Sequence, residues 1–127
     1  MVMNRGWVMY LSERSSDNLI GFHIEDKLTE QDVERYRTIT EGAIHQFGSV
    51  RLLFSFDNLR KVTPEAIWED LKFTTRYKDD IERVALVGNG ALEAWISTAF
   101  DPVLRLEVKH FDKEEADQAW EWLRVEH

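Results

Sequence analysis

The chain contains no cysteine. Neither a disulfide framework nor a thiolate metal site is therefore available to it, which fits a reducing compartment. It is also short of basic residues: 16 Lys and Arg against 24 Asp and Glu leave a formal net charge of −8. A nucleic-acid binder that works by neutralising phosphates needs the opposite balance, so nucleic acid is not expected as a partner. Attraction to anionic lipid is weakened for the same reason. No apolar run approaches the roughly 18 residues of a membrane-crossing helix. "WVMYL" (7–11) follows a single Arg and is too short for the apolar region of a signal peptide. A cytoplasmic protein is the expectation. Internal repeats, low-complexity tracts and linkers are lacking too, so the 127 residues read as one domain, 1–127, with one real core.

What is present is an alternation of strand and helix signals. "GWVMYLSE" (6–13) and "NLIGFHIE" (18–25) are strand-like and flank the polar turn "RSSD" (14–17). In the second, Ile20, Phe22 and Ile24 alternate with Gly21, His23 and Glu25, as in a half-buried strand. Thr29 opens a helix in which Val33, Tyr36, Thr40, Ala43, Ile44 and Phe47 make one apolar stripe, and Gly48 ends it. "VRLLFSFD" (50–57) has few polar interruptions, as a strand covered on both faces does. Thr63-Pro64 starts a second helix: Thr caps it, and Pro in the first turn loses no needed hydrogen bond. "IERVALVGN" (81–89) is a strand, "GALEAWISTAF" (90–100) a third helix, and "LRLEVKHF" (104–111) the last strand. Asp112 and Glu115 have the spacing of an acidic capping box before a fourth helix, "KEEADQAWEWL" (113–123). The order β-β-α-β-α-β-α-β-α predicts an α/β fold with a mostly parallel five-stranded sheet and four main helices. The N-terminal strand would be antiparallel, at or near an edge.

Chemistry is hard to find in this pattern. None of His23, His45, His110 and His127 stands at a metal-ligand spacing. His110 reads as a satisfied strand histidine before a ligand-contacting one. "VGNG" (87–90) has the location of a phosphate loop, but the third small position of that motif falls on Glu93 and no Walker Lys follows. Asp79 and Asp80, Glu114 and Glu115, and Glu65, Glu69 and Asp70 read as helix ends and solvated faces. No Ser sits in a Gly-x-Ser-x-Gly elbow. An enzyme, a cofactor and a metal are all not expected.

"TPEAIWEDLKF" (63–73), "DIERVALVGN" (80–89), "EVKHFD" (107–112) and "EEADQAWEWL" (114–123) resemble the SpoIIAA-like family, also described as STAS/SEC14-domain proteins. "NLIGFHIEDKLTEQDVE" (18–34) and "GSVRLLFSFDN" (48–58) extend the resemblance over nearly the whole chain. It implies a SpoIIAA-like/STAS-like βα superhelix and two functional precedents. One is the STAS domain of anti-sigma factor antagonists, which binds a kinase partner and is switched by phosphorylation. The other is the CRAL-TRIO lipid-binding fold. In the antagonists an Asp-Ser-Ser-Gly-like motif carries the phosphorylated Ser. The matching stretch here, "DNLRKVTPEAIW" (57–68), lacks Ser-Ser-Gly, and its Thr63 is accounted for as a helix N-cap.

The second helix carries the main question. In "WEDLKFTTRYKDD" (68–80) the aromatics do not share one face. Ile67, Trp68 and Leu71 lie within about 100° of one another and are expected to dock on the sheet. Ala66, Phe73 and Tyr77 fall on the far side, beside Lys72, Arg76 and Lys78. Trp122 likewise stands opposite the Ala116, Ala119, Trp120 and Leu123 stripe of the last helix. Neighbouring segments cover Phe73, Tyr77 and Trp122, or these residues face a second subunit or a membrane surface. A third arrangement makes Trp68, Leu71, Leu92, Trp95, Ile96 and Phe100 the walls of a lipophilic cavity between the sheet and helices two and three. The expected function is non-enzymatic binding of a small lipophilic molecule there, with peripheral membrane association. The alternative is a STAS-type interaction or regulatory module that acts as a homodimer or through a partner.

Overall fold

The structure, a computed structural model, describes residues 9–12, 14–88 and 107–125. Chain order is β1 (Met9–Leu11), β2 (Leu19–Leu28), α1 (Glu30–Phe47), β3 (Val50–Val62), α2 (Pro64–Tyr77), β4 (Ile81–Val87), β5 (Val108–Phe111), a 3-10 turn (Lys113–Glu115) and α3 (Ala116–Arg124). The strands hydrogen-bond in the order β1-β2-β3-β4-β5. β2 to β5 are parallel, and the three-residue β1 is added antiparallel at one edge. The helix expected over 90–100 lies outside the described residues.

Local chemistry sets the helix starts. The Thr29 side chain accepts from the Asp32 N–H, and the Asp32 carboxylate accepts from the Thr29 N–H, so two orphan donors of α1 are satisfied reciprocally. Gly48 ends α1 at φ 89°, a backbone region costly for a side chain, and donates to the Ile44 carbonyl. At α2 the Thr63 hydroxyl accepts from the Ala66 N–H at 3.1 Å, and Pro64 occupies the first turn. Asp26, at φ 67°, marks an irregularity in β2, beyond which the β2–β3 ladder resumes at Lys27 and Lys61.

The sheet is covered on both faces. Alternate residues Ile20, Phe22 and Ile24 of β2, with Val50, Leu52, Phe54 and Phe56 of β3, pack with α1 and α2. Leu19, Leu53, Ala85, Val87 and Phe111 pack on the other face against Ala119, Trp120 and Leu123 of α3. Each Val, Leu, Ile or Phe side chain so withdrawn from water contributes roughly 1.5–3 kcal/mol. That two-sided burial is the reason Leu52, Leu53 and Phe54 of β3 follow one another without a polar interruption. The α1 stripe ends sooner than its sequence period: Phe47, in the last turn, is 41% exposed.

Candidate functional site

The face of α2 that packs inward is the reverse of the one expected. Ala66, Asp70, Phe73 and Thr74 are buried, whereas Trp68 is 60% exposed and Leu71 is half-buried outside both cores. The reason is the shape of the surface beneath. Tyr36 of α1 stands edge-on to Phe22 (5.6 Å between ring centroids), Phe54 (5.2 Å) and Phe73 (5.4 Å). Edge-to-face aromatic packing of this kind needs a slim ring at position 73 and a small residue at 66, not the indole of Trp68. Phe73 is therefore core and presents no face to a subunit or membrane, correcting that expectation. Tyr77 packs on Phe73 at 5.0 Å and donates to the Glu41 carboxylate at 2.8 Å. That bond, more than any other cause, pushes the phenol's pKa above its ordinary value.

The seam between α1 and α2 is polar as well as aromatic. Tyr36 of α1 donates to Asp70 of α2, and Tyr77 of α2 donates to Glu41 of α1, a reciprocal pair. Arg37 and Lys72 both approach Glu69, at 3.8 and 2.9 Å. Asp70, expected on a solvated face, is 2% exposed. Burial pushes its carboxyl from an ordinary 3.8 up to about 7. Its place was legible in principle, since Ala66, Asp70, Phe73, Thr74 and Tyr77 are spaced i, i+4, i+7, i+8, i+11 along one stripe.

Above the seam an open groove of about 400 Å³ is lined by Arg37, Glu41, Glu69, Lys72, Phe73 and Arg76. Its mouth is charged, and its one apolar lining residue is the buried ring of Phe73. Beside it stands Trp68, with the Lys72 ammonium 5.9 Å from the indole centroid. The lipophilic cavity expected from Trp68, Leu71, Leu92, Trp95, Ile96 and Phe100 is not assembled by the described residues; the last four lie outside them.

At the carboxyl ends of the parallel strands, where open α/β sheets bind ligands, the described groups are already engaged. Lys113 pairs with Asp57 at 3.2 Å. His110 Nε2 donates to the Gly88 carbonyl at 2.6 Å; a carbonyl only accepts, so that nitrogen carries the proton. Among the described residues no His, Asp and Glu group could hold a metal ion. Trp122, expected to be surplus, rests on Phe111 at 5.9 Å under the guanidinium of Arg83 and the ammonium of Lys109. Arg83 also donates to the Trp122 and Val125 carbonyls, and Arg51, its neighbour across β3–β4, donates to those of Leu123 and Val125. Two cations thus hold the negative end of α3.

The SpoIIAA-like family model matches residues 19–124. The chain belongs to the SpoIIAA-like family. A solved structure similar to it is an uncharacterised protein with a SpoIIAA-like fold from Shewanella loihica PV-4. The two are 29% identical, with a TM-score of 0.68 over 91% of this chain and 93% of that one. The Bacillus cell fate determinant SpoIIAA in its phosphorylated form is similar at a TM-score of 0.58, over 87% of this chain and 96% of that one; at 16% identity the likeness is one of fold alone. No curated protein matches. Among the described residues of this SpoIIAA-like chain no helix is long and apolar enough to cross a membrane.

Proposed function

We propose that this SpoIIAA-like chain is a non-enzymatic regulatory module that contacts a protein partner through the outward face of α2. The observation that carries the reading is Trp68. Its indole is 60% exposed on a helix whose other described rings are turned inward, and it stands beside Lys72 and the charged groove. Exposing so large an apolar ring is unfavourable in isolation, and Trp and Arg are the residues that dominate binding energy in protein interfaces. The similarity of fold to a Bacillus cell fate determinant that exists in a phosphorylated form supports a regulatory role. A photo-crosslinking amino acid at position 68, compared with one at Glu34 on the outer face of α1, tests this in the source cell. The expected result is one saturable cross-linked protein from position 68, lost on Lys72→Glu. Equal background from both positions would count against the proposal. A product of twice the chain mass, with concentration-dependent sedimentation, would make the partner a second copy.

A second reading has Leu71 in its favour. With Trp68 it forms an adjacent apolar pair that neither core uses. Such a pair suits one wall of a site for a small lipophilic molecule, loaded by peripheral contact with a membrane surface. Native mass spectrometry of the freshly purified protein separates the readings: an added mass that extracts into organic solvent supports the lipophilic ligand.

A further inference from the structure

We propose that the α1–α2 seam is a proton-operated latch, in which Asp70 seats α2 against Tyr36 while its carboxyl is protonated and loosens that helix when it ionises. The geometry is that of a carboxyl with too few partners. Asp70 is 2% exposed, one of its oxygens accepts from the Tyr36 phenol, and Oδ2 has no hydrogen-bond partner among the described residues. A neutral carboxyl tolerates such a site; a carboxylate left with one donor does not.

Among the described residues no cation is placed to rescue it. From α1 the groups along the seam are Tyr36, the buried Thr40 hydroxyl, itself without a partner, and Asp32, Arg37 and Glu41. Asp32 is paired with Arg35, Arg37 with Glu69, and Glu41 accepts from Tyr77. From α2 itself, Glu69 takes Lys72, and Arg76 lies on the Tyr77 ring at 5.5 Å. Beneath the seam, β2, β3 and β4 present Phe22, Leu52, Phe54 and Leu86. His110, on the same face of β5 as Val108, is engaged with the Gly88 carbonyl. Burial is accordingly the one cause that moves Asp70, and it moves it to about 7.

The sign follows from proton linkage. A carboxyl that is harder to ionise folded than unfolded binds protons preferentially in the folded state. Folding is then most favoured at low pH. It weakens by up to about tenfold in the equilibrium constant per pH unit from the unfolded value near 4 to the folded value near 7, and levels off above. Ionisation acts where Asp70 sits, so the α2 amides between Ala66 and Arg76 open first. The latch would operate whether or not α2 binds a partner.

The test is the carboxyl carbon shift of Asp70 followed by NMR in the intact wild-type protein, with hydrogen exchange read at pH 6 and pH 8. The expected midpoint lies near 7. Relative to Asp70→Asn, wild-type α2 should lose about tenfold in protection between the two pH values, while α3 keeps its own. A midpoint at or below about 4.5, or equal pH dependence of α2 protection in both proteins, overturns the proposal. Should Asp70→Asn fail to fold, Tyr36→Phe gives the second reading: loss of the one donor must raise the Asp70 midpoint further, and an unmoved midpoint overturns the proposal.

Discussion

Replacing Gly21 by alanine adds one carbon where β2 has no room for it. The new Cβ would lie 2.5 Å from Cη2 and 2.7 Å from Cζ2 of Trp120, and 3.2 Å from Cβ of Ser12. The indole cannot simply swing away. It is 3% exposed, the Arg14 guanidinium stands 5.2 Å from its centroid and that of Arg124 5.9 Å, and Arg14 is tied to Asp117 at 2.7 Å. In an open strand a Gly-to-Ala exchange stabilises by roughly 0.5–1 kcal/mol. Overpacking a dense core costs about 1–3 kcal/mol, so the net expectation is a loss of about 1–2 kcal/mol. With an unfolding entropy of roughly 2.1 cal/mol/K per residue, a chain of this length loses about 4–8 °C in Tm. Urea unfolding read by near-ultraviolet circular dichroism measures it. Trp120→Leu vacates the end of the ring, and in that background Gly21→Ala should cost at least about 1 kcal/mol less. Wild-type stability for Gly21→Ala, or the same loss in both backgrounds, would refute the close approach as the reason for glycine.

Arg83→Met leaves the Trp122 carbonyl without its donor and should destabilise by about 2–3 kcal/mol, with hydrogen exchange rising first in the last turn of α3. Thr63→Ala removes the α2 cap and should cost about 1 kcal/mol in urea, with Thr63→Asp restoring most of it. Trp68→Ala should change stability by less than about 0.5 kcal/mol, because the side chain is exposed; a loss above 2 kcal/mol would mean that the indole is packed. Glu41→Gln should return the Tyr77 phenol toward its ordinary titration, visible in the ultraviolet difference spectrum at high pH.

Much of the architecture is readable one segment at a time. The Thr29–Asp32 exchange, the Thr63-Pro64 start and the Gly48 stop involve residues three or four apart, and their hydrogen bonds are local. The alternation of Ile20, Phe22 and Ile24 named the face of β2 that packs with α1 and α2, but the opposite face, expected to be open, is covered at Leu19 and Gly21 by α3. Helix α2 resisted the same treatment. At 3.6 residues per turn it offers two apolar arcs, one with the bulky Trp68 and one with Ala66, Phe73 and Tyr77. Counting apolar bulk selects the wrong arc, because it ignores the shape of what lies below. Asp70 was lost for the same reason: a carboxylate among Glu65 and Glu69 looks solvated until the helix is turned.

The sequence by itself determined the order of the described elements, their caps and the SpoIIAA-like family, because each depends on neighbours along the chain or on a pattern spread over nearly all of it. Only the tertiary structure decided that Trp68 faces out, that Phe73 and Trp122 are packed, and that one carboxyl stands buried in the seam. The first and third depend on the fit of Phe73 against Tyr36, itself set edge-on to Phe22 and Phe54, and the second also on Phe111 across the sheet beneath Trp122, rings brought from separate elements. Packing free energy is a property of that surface, and no single segment contains it.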